Sequence, residues 1–260
     1  MINLKIKMII YLLILIFSCN VNADFFQSGK IKIFYTDSKG AGEPIVLVHG
    51  HTMSSNMWYE SGIAKRLSKK YRVITLDCRG HGKSGKPESP TEYGPKVGKD
   101  IVNLLDYLEI EKAHMVGYSM GAFVVGRLLV SDSKRIRTAI LGSGFFPTSD
   151  DEELSFQEDV AKDLEHHGEL ALAAVARGWR FDAVSDLQIA EITIPVQAVF
   201  GSEEINEFFD SQKDRLRMPK SSLPIVIIEG ADHDTSKAAV LHPKFLETVE
   251  NFISANSGGR

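Results

Sequence analysis

The feature that most limits the fold of this chain is a series of short, continuous apolar runs, each of which ends in a turn. The first four are GEPIVLVHG, YRVITLD, KAHMVGYS and RTAILGSG, and IPVQAVFG and LPIVIIEGADH follow later. Uninterrupted runs of this length are typical of strands covered on both faces. Because helix patterns separate them, the sequence predicts an α/β fold with a mostly parallel central sheet flanked by helices.

The segments between the runs show apolar residues at helical spacing. Helices are predicted over residues 58–69, over residues 96–108, directly after Ser119, and over residues 243–253. Near the start, KIKIFYTDSKG shows partial alternation before a Ser-Lys-Gly turn, and this pattern predicts a hairpin. The predicted elements account for most of the chain from residue 30 onward.

The alternation of strands and helices breaks near Phe145. Residues 150–169 contain nine acidic residues and one lysine, while Phe156, Val160 and Leu164 recur every four residues. This pattern predicts one or two amphipathic helices inserted between strands, with a solvated acidic face. We expect the insertion, at about residues 145–189, to form a short helical lid.

The first 23 residues differ in character from the rest. Lys5 and Lys7 precede an uncharged run over residues 8–17, and Val21 and Ala23 form a small-residue cleavage site. This arrangement predicts a signal peptide over residues 1–23, cleaved to leave a domain over residues 24–260 that is periplasmic or secreted. Lipid attachment at Cys19 and an uncleaved anchor are the alternatives. The apolar run is shorter than a membrane span, so no stable span is expected after cleavage.

Charge and cysteine content exclude two classes of protein. The formal net charge of −4 gives no basic surface for nucleic acid. Cys19 and Cys78 are the only cysteines, and Cys19 lies in the predicted signal peptide, so a disulfide framework is excluded. The core must hold the fold together.

Ser119 lies between two glycines at the point where a predicted strand gives way to a predicted helix, in the stretch Gly117-Tyr118-Ser119-Met120-Gly121. A serine hydroxyl becomes nucleophilic when a neighbouring base accepts its proton. A sharp strand-to-helix turn projects the serine from the sheet, and flanking glycines relieve the crowding of that turn. Ser119 is therefore the candidate nucleophile.

Two backbone amides are candidates for holding a negative oxygen beside Ser119. The amide of Met120 lies at the predicted helix N-terminus, where N–H groups have no partner within the helix. The amide of His51, in the loop VLVHGHTMSSNMW after the first buried run, is the second candidate. The side chains of His49 and His51 are expected to be structural, or to line a pocket in the case of His51.

The base is predicted to be His233, the one histidine that directly follows a late buried strand. A carboxylate is needed to orient the imidazole, and the loop after PVQAVFG supplies Glu203 and Glu204. Glu204 is the preferred acid, with Glu203, Asp210 and Asp232 as alternatives. The order serine, acid, histidine fits the nucleophile elbow.

Taken together, five segments resemble the α/β-hydrolase superfamily, over about residues 30–253. They are VLVHGHTMSSNMW, VITLDCRGHGKSGKP, AHMVGYSMGAF, IPVQAVFGSEE and IIEGADH. In that family the stretch from Asp77 to Ser84 braces the site from the side. Two departures are the glutamates in the acid loop, where such proteins often have aspartate, and the shortness of the insertion.

The resemblance implies a serine hydrolase that acts on small-molecule carboxylic esters through an acyl-enzyme, because relatives that open epoxides or displace halide have aspartate at the elbow. No metal or organic cofactor is implied. Two alternatives stay open: another reaction on the same triad, such as cleavage of a thioester, lactone, amide or C–C bond, and an inactive binding protein on the same fold.

Overall fold

The computed structural model describes residues 22–147, 151–178, 183–204, 223–233 and 235–258. Residues 1–21 of the predicted signal peptide lie outside this range, as does the candidate acid Asp210. The strands are β1 Asn22–Ser28, β2 Ile31–Asp37, β3 Pro44–Val48, β4 Arg72–Leu76, β5 Ala113–Tyr118, β6 Ile136–Gly142, β7 Val196–Gly201 and β8 Ile225–Ile228. The α-helices are α1 Met57–Glu60, α2 Ile63–Leu67, α3 Pro95–Tyr107, α4 Met120–Ser131, α5 Asp151–His166, α6 Leu170–Gly178, α7 Asp186–Ala190 and α8 Pro243–Asn256.

The described strands form one eight-stranded sheet in the order β1-β2-β4-β3-β5-β6-β7-β8. Strands β4, β3, β5, β6, β7 and β8 are parallel, and β1 and β2 form an antiparallel edge. The predicted mostly parallel sheet is confirmed. Because parallel strands share one direction, the loops after these six strands leave the sheet at the same edge.

The predicted hairpin gives β2 the wrong partner strand. Strand β2 pairs with β1, through the turn at Gly29, and the Ser38-Lys39-Gly40 turn instead leads to β3, which is not a neighbour of β2. Strand β4 lies between them and pairs with β2, with Tyr35 opposite Leu76. Strand β1 also contains Ala23, the predicted cleavage position, and cleavage there stays a prediction.

Both faces of the sheet are covered, and this explains the continuous apolar runs. In β3, Val46 and Val48 pack into a cluster with the buried faces of α3 and α4. Ile45 and Leu47 point the other way, into a second cluster that contains Trp58 and residues of α8. Alternate residues of one strand therefore serve two cores.

The helices agree closely with the predicted positions, with one exception. Helices α3, α4 and α8 lie where residues 96–108, the segment after Ser119 and residues 243–253 predict them. The predicted helix over residues 58–69 is divided into α1 and α2, because Gly62 between them has a φ of 77°. A left-handed residue cannot continue an α-helix, so the chain turns there.

The insertion between β6 and β7 contains α5, α6 and α7. Helices α5 and α6 pack through the small side chains of Ala161, Ala173 and Ala176. Helix α6 also lies against the loop after β4, since a Cβ placed on Gly80 would be 2.8 Å from Val175 and 2.9 Å from the ring of Tyr93. This contact brings the insertion to the edge of the sheet where the six loops leave it. Of the helices within the described residues, none is long and apolar enough to cross a membrane.

Candidate active site

Ser119 occupies a sharp turn between β5 and α4. Its backbone has φ 52° and ψ −121°, which is unusual for any residue other than glycine. The turn brings the backbone so close that a Cβ on Gly117 would lie 2.2 Å from the carbonyl oxygen of Gly121. A Cβ on Gly121 would lie 2.1 Å from the carbonyl oxygen of Val48. Glycine at both positions is therefore what permits this conformation of the serine.

The imidazole of His233 contacts this serine directly. Its Nε2 lies 2.9 Å from Oγ of Ser119, a hydrogen-bonding distance. The Tyr118 hydroxyl donates a 2.5 Å hydrogen bond to the main-chain carbonyl of His233, and the ring of Tyr118 stacks on the imidazole. The residue before the nucleophile thus fixes the loop that carries His233.

Glu204 is buried at the other side of the imidazole, and only 4% of its surface is exposed. Its Oε2 lies 3.5 Å from Nδ1 of His233. Its Oε1 accepts a 3.0 Å hydrogen bond from the amide of Gly201 and a 2.8 Å hydrogen bond from the hydroxyl of Ser143. The separation of 3.5 Å is longer than a normal hydrogen bond, so the carboxylate acts on the imidazole at this distance mainly through its charge.

The other described acids point elsewhere. Glu203 is exposed, and the carboxylate of Asp232 accepts hydrogen bonds from the amide and hydroxyl of Thr235. The structure therefore brings Ser119, His233 and Glu204 together.

Sequence reasoning missed the part played by Ser143. The stretch Leu141-Gly142-Ser143-Gly144 contains no carboxylate, so it offered no candidate for the triad acid. Ser143 follows β6, which lies between β5 and β7, and its hydroxyl is therefore within reach of both neighbouring loops. Its position at the end of a strand of the same sheet was the available signal.

The loop after β3 passes close to Ser119. A Cβ placed on Gly50 would be 3.3 Å from Cβ of Ser119, which locates His51 beside the nucleophile. Met120 is the first residue of α4, so its amide has no acceptor within the helix. The side chain of His51 turns away from these amides, and its Nε2 lies 3.1 Å from the carbonyl oxygen of Leu172 in α6.

His49 braces the loop after β3 from within. Its Nε2 accepts a 3.0 Å hydrogen bond from the amide of Cys78, and its Nδ1 donates a 2.7 Å hydrogen bond to the carbonyl of Gly50. The ring of His81 packs edge-on against both His49 and His51. Burial lowers the pKa of His49 and His51 and holds the pKa of His81 well below its ordinary value. All three imidazoles are therefore neutral at pH 7.

A buried carboxylate and a buried ion pair fix the loop after β4. Asp77 accepts 2.8 Å hydrogen bonds from the amides of Ser55 and Lys83, and so joins this loop to the loop after β3. Arg79 donates to both carboxylate oxygens of Asp100 in α3, at 2.6 and 2.7 Å. The loop beside the nucleophile thus rests on a rigid support. Among the described residues, no group of three or more His, Cys, Asp or Glu side chains is placed to hold a metal ion.

Comparisons with known proteins support the fold described above. The family model for the alpha/beta hydrolase fold matches residues 43–225. A 2-(acetamidomethylene)succinate hydrolase of Mesorhizobium japonicum is 25% identical over 92% of this chain and 99% of its own length. A putative non-heme chloroperoxidase of Synechocystis sp. is 39% identical over 44% of this chain, a match that spans only 41% of that relative.

Solved structures share the fold at low identity. The crystal structure of an E-2-(acetamidomethylene)succinate hydrolase has a TM-score of 0.70 at 24% identity, covering 90% of this chain and 100% of the other. An epoxide hydrolase of Vigna radiata has a TM-score of 0.70 at 17% identity, covering 90% and 98%. The matched family model covers well over half of the chain, and the chain therefore belongs to the alpha/beta-hydrolase fold family.

Proposed function

We propose that this protein is a serine hydrolase that cleaves carboxylic esters through an acyl-enzyme intermediate, with Ser119, His233 and Glu204 as its triad. The observation that carries the proposal is the 2.9 Å contact between Oγ of Ser119 and Nε2 of His233. A hydroxyl in contact with an imidazole can lose its proton as it attacks a carbonyl carbon. The buried carboxylate on the far side of the same ring supports this role.

In the acylation step, Nε2 of His233 accepts the Ser119 proton while Oγ bonds to the carbonyl carbon. The imidazolium that forms carries its positive charge towards Glu204, whose buried carboxylate stabilises it. Attraction between these new opposite charges favours shortening of the 3.5 Å separation, and catalytic hydrogen bonds are often long before substrate binds.

The carbonyl oxygen becomes negative during the attack and needs donors in fixed positions. The amides of His51 and Met120 are proposed to supply them, because the first belongs to the loop against Ser119 and the second begins α4. Preorganised amides of this kind are worth about 10²–10³-fold in rate per donor. The bond between the acyl carbon and the alkoxy oxygen then breaks, and the alcohol leaves with the proton that His233 holds. Water attacks the acyl-enzyme, with His233 as the base, and releases the acid and free Ser119.

Hydrolysis of p-nitrophenyl butyrate by wild type and Ser119→Ala tests the proposal. The variant should lose at least about 10³-fold in kcat/KM, since it lacks the nucleophile. Ser131→Ala, an exposed serine at the far end of the same helix, is the matched control and should keep wild-type activity. Equal activity of Ser119→Ala and wild type would remove Ser119 from the mechanism.

A second candidate is hydrolysis of another acyl compound by the same triad. It is favoured by the similarity over nearly the whole chain to the 2-(acetamidomethylene)succinate hydrolase. That compound, a lactone and a thioester belong in the same assay panel. A kcat/KM for one of them that exceeds the ester values by about 100-fold would replace the ester as the proposed substrate.

We also propose that the protein is exported, on the evidence of the basic and apolar segments over residues 1–23. N-terminal sequencing of protein recovered from the periplasm or medium is expected to begin at Asp24. Recovery of the intact N-terminus from the cytoplasm would contradict export, and a lipid on Cys19 would support the lipoprotein alternative.

A further inference from the structure

A groove of about 520 Å³ lies between the loop after β3 and the turn that follows His233. Its volume falls in the range of pockets that bind small molecules. Its apolar wall contains Met53, Met57, Ala238, Val240 and Leu241. None of these side chains has a role in the triad, the proposed oxyanion donors or their support.

The groove begins beside the nucleophile. A Cβ placed on Gly50 would lie 3.1 Å from Sδ of Met53 and 3.3 Å from Cβ of Ser119. Met53, which lines the groove, and Ser119 therefore flank the same point of the loop. The Met53 end of the groove therefore lies next to the part of the loop that packs on the nucleophile.

The opposite wall of the groove belongs to the turn that carries the base. Thr235, two residues after His233, is the first lining residue of this wall, and the wall continues to Leu241. The amide of Ala239 donates a 3.0 Å hydrogen bond to the carbonyl of Asp232 and closes the turn. Whatever occupies the groove therefore contacts the turn that carries His233.

The part of an ester that fits this position is the half that departs as the alcohol. His233 takes the proton from Ser119 and must deliver it to the leaving oxygen, so the leaving group lies on its side. The side chain of His51, in contrast, contacts α6 through Leu172, and the acyl half is left to the space under the insertion.

The lining of the groove selects an uncharged, apolar chain. Two methionines form part of the wall, and their unbranched side chains adapt to linear chains. Among the described residues that line it, Glu60 is the one acid and no lysine or arginine is present. Against these lining residues, a negatively charged group would meet the Glu60 carboxylate and no balancing cation.

We propose that this groove is the leaving-group subsite, and that it takes primary alcohols with linear apolar chains; the proposal rests on the proposed ester hydrolysis. In the step it serves, the bond between Oγ of Ser119 and the acyl carbon forms and the bond between that carbon and the alkoxy oxygen breaks. The Ser119 proton passes through His233 to the alkoxy oxygen. The alcohol then leaves through the groove, and no oxidant or reductant is consumed.

The first test separates the two halves of the substrate. For butyrate esters of methanol, butanol and hexanol, kcat/KM should rise about three- to fourfold per added methylene in wild type. Leu241→Lys, which places a charge on a half-exposed wall residue, should flatten this series and leave methyl esters of varied acyl length unchanged. Leu187→Lys, at an exposed leucine of α7 outside the groove, should leave both series as in wild type. A flat wild-type alcohol series, or equal effects of Leu241→Lys on both series, would overturn the proposal.

The second test needs no turnover. Ser119→Ala carrying ¹³C-methyl methionine is titrated with 1-hexanol, and the Met53 and Met57 signals should shift and saturate while the buried Met115 signal does not. Hexanoate should bind more weakly, and Leu241→Lys should weaken hexanol binding. Shifts that are absent, or that Leu241→Lys leaves unchanged, would reject the groove even if esters are hydrolysed. Hexanol binding without any ester hydrolysis would instead reject the proposed function.

Discussion

Two regions of the molecule are held in place by different forces. One is the sheet edge that carries Ser119, and the other is the pair of inserted helices α5 and α6. At the sheet edge, buried groups contact one another at short distances, as Glu204 does with Gly201 and Ser143. In the insertion, Arg177 bridges Glu158 and Glu165 at the surface. Buried polar contacts are costly to leave unsatisfied, whereas exposed ion pairs contribute little.

The difference indicates where this fold requires one geometry and where it tolerates several. A strained serine, two glycines without room for a Cβ and a buried ion pair leave the sheet edge almost no freedom. The insertion packs into the main core through Ala174, Val175, Val184 and Ile189, and His51 contacts the carbonyl of Leu172. We therefore expect substitutions at the edge to alter the reaction or the fold, and substitutions on the solvent-facing side of the insertion to alter neither by much.

The largest expected effect is on catalysis, in Glu204→Gln. Gln keeps an oxygen for the Ser143 and Gly201 hydrogen bonds but removes the charge that stabilises the imidazolium, so kcat should fall by about 10³–10⁴-fold. Glu203→Gln, in the same turn but exposed, and Glu165→Gln, in α5, should keep kcat within about twofold of wild type, since neither carboxylate contacts His233. Steady-state ester kinetics measure kcat for all three variants. A loss of kcat in Glu203→Gln comparable with that in Glu204→Gln would contradict the assignment of Glu204 as the triad acid.

The next largest expected effect is on the free energy of unfolding, and variants of two arginines test it. Arg79→Ala leaves Asp100 buried without its partner and should cost about 3–5 kcal/mol in the free energy of unfolding. Arg177→Ala, in α6, removes the surface ion pairs with Glu158 and Glu165 of α5 and should shift the urea midpoint only slightly. Urea denaturation of both variants checks this pair. Similar losses would show that the insertion is as strongly fixed as the edge.

The smallest expected effect is the response to pH. Burial lowers the pKa of His49, His51 and His81 in the folded chain, so below about pH 6.5 the unfolded chain binds more protons. The stability that these histidines contribute is therefore fully present above pH 6.5 and is lost as pH falls from there towards their lower folded-state pKa values.

Urea denaturation between pH 7.5 and 5.5 measures this slope. His81→Leu should reduce it, whereas His167→Leu, at an exposed position in the insertion, should leave it unchanged. A slope that both variants leave as in wild type would show that the buried imidazoles do not set the pH response.

Much of the sheet edge could be predicted from the sequence because each constraint there is local. Continuous apolar runs predict strands buried on both faces, and the residues after them then meet at one edge. The choice between Glu203 and Glu204 could not be made in this way, because it depends on which of two adjacent side chains turns inward after Gly201. The inward direction of Glu204 is supported in part by the hydrogen bond from Ser143, a residue distant in sequence.

The errors in strand pairing have a similar origin. Strand β4 is inserted between β2 and β3, so the turn after β2 leads to a crossover instead of a hairpin. Adjacent motifs with a turn between them do not reveal a third strand that comes later in the chain. The acidic helix α5 was predictable from spacing, but the contacts of α6 with Gly80 and His51 were not, because they join residues 95 and 121 positions apart.

The central claim is that His233 activates Ser119 in the folded protein. Labelling with a fluorophosphonate, followed by peptide mass spectrometry, tests it most directly. One adduct is predicted on Ser119 of folded wild type, lost on denaturation and formed at least about 10²-fold more slowly in His233→Gln, because the probe requires an activated hydroxyl. Absence of the adduct from the folded protein, or equal labelling rates in wild type and His233→Gln, would contradict the claim.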